Sequence, residues 1–158
     1  MSVGVAVNEN IIQFDLPVCF QQDLLYISEN YCAADSPGML EFKRIGFHRS
    51  KFDEYDYDEL YNFVNNRLNL LGFMLVNPMV VYLITTWPGQ AYTAHQDDTL
   101  VVHVPITTNP HCRMLIGDNT YHLTTDNFYL TNTYKCHSAF NLGTSPRTHI
   151  VFSAKEKS

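Results

Sequence analysis

The sequence has few charged residues, no cluster of basic residues and no long apolar run. Charged side chains make up 16% of its 158 residues, and the ten Lys and Arg against sixteen Asp and Glu give a net charge of −6. A phosphate-binding face needs clustered cations, so we expect no nucleic-acid partner. The longest apolar stretch, residues 79–87, has the length of a strand, so we expect no membrane partner.

The cysteines and the first residues bear on the compartment. Cys19, Cys32, Cys112 and Cys136 show no C-x-x-C spacing, which favours free thiols in a reducing compartment over disulfides or zinc. Residues 1–15 lack the basic start and apolar core of a secretory signal. We therefore expect a soluble, cytoplasmic protein. The hydrophobic content of 46% and the length indicate one ordered globular domain over residues 1–158.

The chain changes character near residue 78. Before it, apolar residues follow helical spacing in 21–31 and from Leu60 to Leu71, and residues 39–47 between them indicate a strand. Asp56 with Glu59 and then Gly72 are expected to begin and end the second helix. After residue 78, short β-rich runs separated by turn signals occupy 79–87, 91–95, 100–107, 112–116, 120–124, 127–132, 134–140 and 147–153.

This order of elements predicts a mainly β fold. Eight short strands after two helices are typical of a double-stranded β-helix, a jelly roll of the cupin-like kind, with the N-terminal helices packed outside one sheet. We assign residues 79–153 to the jelly-roll core with a metal site, and residues 1–78 to a helix-containing N-terminal part.

The stretch AHQDDTLVVHVPITTN, residues 94–109, contains candidate metal ligands. His95 and Asp97 are two residues apart, so on a strand their side chains share a face. An imidazole and a carboxylate are two of the three ligands in the facial triad that binds non-haem Fe(II). Asp98 is a rival carboxylate of opposite parity. A solvated turn would also explain His95 and Asp97. These two residues alone do not decide between a metal site and a turn.

His103 has the parity of His95 but does not belong beside it on one straight strand, because eight residues span roughly 26 Å. Residues 97–99 are therefore expected to bend. On the returning strand, Val102, Val104 and Ile106 would face the core. His103 would share the other face with Val101 and Pro105, which predicts an interior that is not wholly apolar.

His137 and Arg147 lie ten residues apart across a turn near Leu142. In a hairpin with that register they would be cross-strand neighbours, with Cβ atoms about 5 Å apart. A buried arginine is costly unless it meets an anion, and its planar fork fits a carboxylate. The pair therefore predicts a bound anion beside the metal.

An ordered set of short motifs resembles a known family, the Fe(II)- and 2-oxoglutarate-dependent oxygenases. The motifs are PG at 88–89, HQD at 95–97, HVPITTN at 103–109, HSAFNLG at 137–143 and then Arg147. The likeness is greatest to the branch of aspartyl/asparaginyl β-hydroxylases and small bacterial proline-hydroxylase-like enzymes, and it covers residues 86–152. This resemblance implies that His95, Asp97 and His137 are iron ligands. It also implies that Arg147 binds the far carboxylate of 2-oxoglutarate and that His103 contacts the same molecule, although a hydrogen-bonded core histidine is an alternative for His103.

The resemblance implies a dioxygenase that uses Fe(II), 2-oxoglutarate and O2 to hydroxylate a C–H bond of an amino acid or peptidyl residue, with succinate and CO2 as coproducts. Its partner would be a small-molecule or peptide substrate. One position departs from the branch: Val101 stands where an arginine is frequent, so one contact to cosubstrate or substrate must differ. The alternative function is a non-oxygenase metal-binding jelly roll, such as a cupin-like enzyme, a sensor or a degenerate scaffold.

Overall fold

The computed structural model describes residues 9–22, 24, 41–46, 57–76 and 80–158. A short helical segment occupies residues 18–22. The remaining elements, in chain order, are β1 (Ile11–Asp15), β2 (Glu41–Gly46), α1 (Tyr57–Asn69), β3 (Phe73–Leu75), β4 (Val80–Thr86), β5 (Leu100–Thr107), β6 (Cys112–Ile116), β7 (Asn119–Tyr121), β8 (Asn127–Thr131), β9 (His137–Asn141) and β10 (Arg147–Glu156).

The strands form two antiparallel sheets. The large sheet has the order β1-β8-β5-β10-β4-β2, with β3 pairing the end of β10, and the small sheet has the order β7-β6-β9. Residues 91–95 add single bridges to β9, at Ala91 opposite Phe140 and at His95 opposite His137. Two antiparallel sheets that face each other in this way form the predicted jelly roll.

The helix α1 covers the outer face of the large sheet. The residues predicted to face inward, Leu60, Val64 and Leu68, are fully buried, and they share one core with side chains from β5, β8 and β10. After α1, the chain turns through Gly72, whose φ of 87° favours glycine. Residues 21, 22 and 24 of the predicted helix over 21–31 are helical, and Leu24 is buried. The rest of that helix and the capping residue Asp56 lie outside the described residues.

Strand β5 has the predicted alternation. Val102, Val104 and Ile106 are buried in the core beneath α1, whereas His103 and Val101 face the space between the two sheets, where they line a cavity. Two strands were not predicted: β1, which pairs β8 along its whole length, and the three-residue β3.

The predicted hairpin between His137 and Arg147 is wrong. Strand β9 pairs β6 in the small sheet, while β10 lies between β5 and β4 in the large sheet. The connection over 142–146 crosses between the sheets, and Asn141 fixes it by donating from Nδ2 to the carbonyl oxygens of Thr86 and Ser145. His137 and Arg147 therefore approach the cavity from opposite sheets.

Among the described residues, no helix is long and apolar enough to cross a membrane. Cys19, Cys112 and Cys136 are free thiols, as predicted, and Cys32 lies outside the described residues.

Candidate active site

The two predicted histidine ligands, His95 and His137, meet through backbone pairing between the 91–95 segment and β9. The amide of His95 donates to the carbonyl of His137 over 3.0 Å, and the amide of His137 donates back over 2.9 Å. Directly opposed residues of an antiparallel pair project to the same side. The two imidazole centroids are consequently 4.3 Å apart.

Asp97 completes the group. Its amide donates to the carbonyl of Thr133 over 2.8 Å, which holds the chain just past the bridge. Its two carboxylate oxygens lie 3.5 Å from Nε2 of His95 and 3.3 Å from Nε2 of His137. The ligand atoms of the three residues lie within 4.8 Å of one another. The rival Asp98 lines the same cavity but does not belong to this group.

Both histidines are fixed in the tautomer that a metal requires. Nδ1 of His95 donates to the carbonyl of Thr93 over 2.7 Å, and Nδ1 of His137 donates to that of Lys135 over 2.9 Å. Each Nε2 is therefore the nitrogen that would bind a metal, on the side where Asp97 lies. Two imidazoles and one carboxylate fit Fe(II) and leave coordination positions open. We call His95, Asp97 and His137 the metal-ligand group.

Arg147 lies on β10, at the other side of the cavity, and is 3% exposed. Its Nη1 donates to Oγ1 of Thr86 over 3.2 Å, its Nη2 to Nδ1 of His149 over 2.9 Å, and it also hydrogen-bonds the hydroxyl of Tyr92. Burial lowers the pKa of Arg147 from its usual value, but a guanidinium stays charged in proteins. No carboxylate among the described residues pairs with it.

Two further histidines adjoin this arginine. Nδ1 of His103 lies 3.0 Å from Nδ1 of His149, with the rings edge to face. Burial, followed by the charges of Arg147 and His137, lowers the pKa of His103 to about 3. Burial and the charge of Arg147 also lower the pKa of His149 well below its usual value. Both rings are therefore neutral at pH 7. We call Thr86, Tyr92, His103, Arg147 and His149 the arginine cluster.

A cavity of about 320 Å³ lies between the two sides, in the size range of small-molecule sites. It is lined by all five residues that the sequence singled out, His95, Asp97, His103, His137 and Arg147. Val101, at the position where the branch often has arginine, also lines it. Arg147 is the only Lys or Arg among the described lining residues.

Sequence reasoning missed Tyr92 and Thr86. Tyr92 lines the cavity, and burial raises the pKa of its hydroxyl. It lies three residues before His95, an odd offset that strand alternation assigns to the opposite face. The 91–95 segment pairs only at isolated bridges, so alternation does not hold there. In the sequence, Thr86 is marked only by its place at the end of a strand, next to the Pro88–Gly89 turn. That place does not indicate a functional role.

The other histidines among the described residues do not line the cavity. His111 is exposed, and His122 is half-buried beside the carbonyl of Cys112. His48 lies outside the described residues. His149 is buried, with its Nδ1 bonded and its Nε2 without a hydrogen-bond partner.

The fold and this cavity define a class, the Fe(II)- and 2-oxoglutarate-dependent oxygenases, and the sequence gives the family. A model of the aspartyl/asparaginyl beta-hydroxylase family matches residues 59–156, more than half of the chain. The chain belongs to this family. The predicted activity is thereby confirmed: it is a dioxygenase that hydroxylates with Fe(II), 2-oxoglutarate and O2. The alternative of a metal-binding jelly roll without oxygenase activity is not supported.

Solved structures of the same fold have low sequence identity to this chain. A collagen prolyl hydroxylase of Paramecium Bursaria Chlorella virus-1, solved with 2-oxoglutarate, is 11% identical with a TM-score of 0.67, over 96% of this chain and 98% of that one. A Pseudomonas putida prolyl-4-hydroxylase is 16% identical with a TM-score of 0.63, over 99% and 97%. The non-heme alpha-ketoglutarate-dependent epimerase SnoN is 11% identical with a TM-score of 0.70, over 95% and 80%. No curated protein matches the chain significantly.

Proposed function

We propose that His95, Asp97 and His137 bind Fe(II), and that Arg147 binds the distal carboxylate of 2-oxoglutarate in the same cavity. One observation carries this assignment: a buried guanidinium without a carboxylate partner among the described residues lines the cavity that the metal-ligand group also lines. An uncompensated buried charge is strongly unfavourable. A dicarboxylate that reaches from the metal to Arg147 would neutralise that charge and use both sides of the site.

Each residue then has a separate task. When bound, Fe(II) would supply the redox chemistry by which O2 gives one oxygen atom to 2-oxoglutarate, forming succinate and CO2, and the other to a C–H bond of the substrate, forming C–OH. The metal-ligand group holds the ion at three positions and leaves the others open. Arg147 orients the cosubstrate through two parallel hydrogen bonds, and His103 contacts the cosubstrate along the cavity wall.

The exposure of the ligands indicates where the substrate enters. His137 is 7% exposed at its side chain, whereas Asp97 is 33% and His95 is 47% exposed. Substrate would therefore approach past His95 and Asp97, while apolar side chains such as Met114, Ala139 and Val151 exclude water from the interior.

The substrate class that we propose is an amino acid or a peptidyl residue. The family is defined by hydroxylation of aspartyl and asparaginyl residues. Among the structural relatives are prolyl hydroxylases, one of them, from Trichoplax adhaerens, solved with a peptide fragment. The open side of the metal-ligand group suits a side chain presented by a short peptide. A cytoplasmic location and a single-domain organisation stay predictions.

An anaerobic titration tests the site. The purified protein is mixed with Fe(II) and 2-oxoglutarate, and the visible absorbance is followed for the weak charge-transfer band of a chelated keto acid. We expect a band that requires both additions, disappears in His137→Ala, and needs far more 2-oxoglutarate in Arg147→Ala. His111→Ala, an exposed histidine outside the cavity, is the control and should keep the band.

A band that survives in His137→Ala would remove this residue from the ligand set. Iron binding without any band would contradict the assignment of Arg147 and His103 to the cosubstrate. An absence of iron binding would refute the metal site as a whole.

A further inference from the structure

His149 makes contacts that the proposed chemistry does not explain. It is 1% exposed, belongs to neither the metal-ligand group nor the cavity wall, and sits at the centre of the arginine cluster. A single atom, Nδ1, is 2.9 Å from Nη2 of Arg147 and 3.0 Å from Nδ1 of His103. Its other nitrogen, Nε2, is buried without a partner.

The guanidinium of Arg147 determines which ring nitrogens of His149 and His103 carry a proton. A guanidinium can only donate, so Nδ1 of His149 must be an acceptor with a lone pair. Nδ1 of His103, which approaches the same atom, must therefore carry a proton and donate it. It follows that His149 has its proton on Nε2 and His103 has its proton on Nδ1.

Other arrangements conflict with the geometry. A proton on Nδ1 of His149 would oppose the N–H of Arg147 at hydrogen-bond distance. An imidazolium at His149 would place two cations in direct contact within a buried site, in agreement with the lowered pKa of this group. The buried Nε2–H without a partner destabilises the fold. Any favourable contribution of the His149 side chain must therefore come from the contacts of Nδ1.

We propose that His149 is a positioning residue that acts as the shared acceptor for Arg147 and His103, and so holds the guanidinium and the imidazole in the orientation in which they meet the cosubstrate. This inference rests on the proposed function of Arg147. The neutral acceptor orients the arginine without neutralising it, which an aspartate or glutamate would do. The guanidinium thereby keeps its charge for the anion.

The same tautomer defines the part that His103 plays. With its proton used at Nδ1, its Nε2 carries a lone pair and cannot donate to a carboxylate. His103 therefore contacts the cosubstrate by packing, and recognition of the anionic charge depends on Arg147. This is consistent with Arg147 being the only Lys or Arg among the described residues that line the cavity.

The tautomers are tested directly by ¹⁵N NMR of the metal-free, full-length protein labelled at histidine. Side-chain signals are assigned by correlation to their own backbone, so no substitution is needed. We expect His103 protonated at Nδ1 and His149 at Nε2, both neutral at pH 7. A proton on Nδ1 of His149, or an imidazolium at either residue, would overturn the proposal.

The positioning role is tested by cosubstrate affinity, measured anaerobically from the charge-transfer band. His149→Asn keeps an acceptor near Nδ1, and its dissociation constant for 2-oxoglutarate should stay within about threefold of the wild type. His149→Leu removes the acceptor, and its dissociation constant should rise at least about tenfold, the loss expected for a hydrogen bond to a charged group. His111→Leu is the matched surface control.

The two hypotheses fail differently. If the wild-type protein binds no 2-oxoglutarate, the proposed function is wrong, and the NMR tautomers still decide whether His149 is the shared acceptor. If the wild type binds 2-oxoglutarate and His149→Leu binds it equally well, the positioning role is refuted while the function stands. Should the leucine variant not fold, loss of affinity in His149→Asn would count against the proposal.

Discussion

The two sides of the cavity are built in opposite ways. The metal-ligand group lies on the small sheet and on a segment that pairs only at isolated bridges, and two of its three side chains are at least a third exposed. The arginine cluster has most of its members on β4, β5 and β10, adjacent strands of the large sheet. Arg147 and His149 are almost completely buried.

This difference corresponds to what each side has to do. An ion and a substrate must enter and leave, so their ligands stay accessible, and hydrogen bonds to carbonyl oxygens suffice to orient the histidines. A buried charge must be oriented before the ligand arrives, because water is not there to solvate it. The comparison predicts that substitutions on the two sides have different consequences.

The largest effect is expected on the accessible side. Asp97→Ala and His137→Ala should each abolish turnover and weaken Fe(II) binding by more than the roughly 10–100-fold typical of an outer-shell change. Folding should be little affected, because these side chains are not part of either core cluster. Metal titration and succinate release measure the effect. Asp118→Ala and His111→Ala are exposed controls, and turnover retained by Asp97→Ala would assign the carboxylate ligand elsewhere.

The next effect is expected on the buried side. Arg147→Met should raise the dissociation constant for 2-oxoglutarate roughly a hundredfold while Fe(II) affinity is kept, since loss of one partner of a buried ion pair costs about 2–5 kcal/mol. The wild type should strongly prefer 2-oxoglutarate over 2-oxopentanoate, which lacks the distal carboxylate.

Arg147→Met should lose most of that preference, and Arg67→Met, on the exposed face of α1, should keep it. An unchanged preference in Arg147→Met would show that another group binds the distal carboxylate. The pair of variants thus separates charge recognition from metal binding, and with it the two sides of the cavity.

The smallest effect concerns stability against pH. The folded pKa of His103 is about 3 and that of His149 is also depressed, whereas an unfolded histidine titrates near 6.5. Below pH 6.5 the unfolded state therefore binds protons that the folded state does not, and stability falls as the pH falls towards 3. Between pH 7.5 and 5 we expect His103 alone to account for a loss of about 2 kcal/mol, and His149 adds a loss in the same direction.

Urea unfolding of the metal-free protein at several pH values measures this loss. His149→Asn should flatten the pH dependence, and His111→Asn should leave it as in the wild type. A pH dependence that His149→Asn leaves unchanged would mean that the acid sensitivity originates outside the arginine cluster.

Much of the architecture follows from local patterns. The spacing of Leu60, Val64 and Leu68 predicts α1, and alternation predicts both faces of β5, because each pattern depends on one element and one buried side. Strand β1 was missed since its pairing with β8 is a contact between residues more than a hundred positions apart. Residues 11–15 taken alone show no pattern that predicts this strand or its pairing.

Sequence patterns pointed to residues that share one cavity, but not to how those residues are arranged around it. The residues at 95, 97, 103, 137 and 147 all line the cavity, yet the expected hairpin between β9 and β10 was wrong. An even offset across a turn is equally compatible with two paired strands and with two strands in opposing sheets. In the structure the connection between the two strands is hydrogen-bonded through Asn141, which donates to the carbonyl oxygen of Thr86, a residue 55 positions earlier.

The separation of β9 and β10 also has a mechanical meaning. His137 belongs to the small sheet and Arg147 to the large one. A bound ion together with its dicarboxylate would therefore link the two sheets by a reversible, non-covalent connection. Ligands that bind only the folded state add about 2.7 kcal/mol at a hundred times their dissociation constant. Here that gain would act between the two sheets, because His137 and Arg147 belong to different ones. Cofactor binding would thus stabilise the fold as well as supply its chemistry.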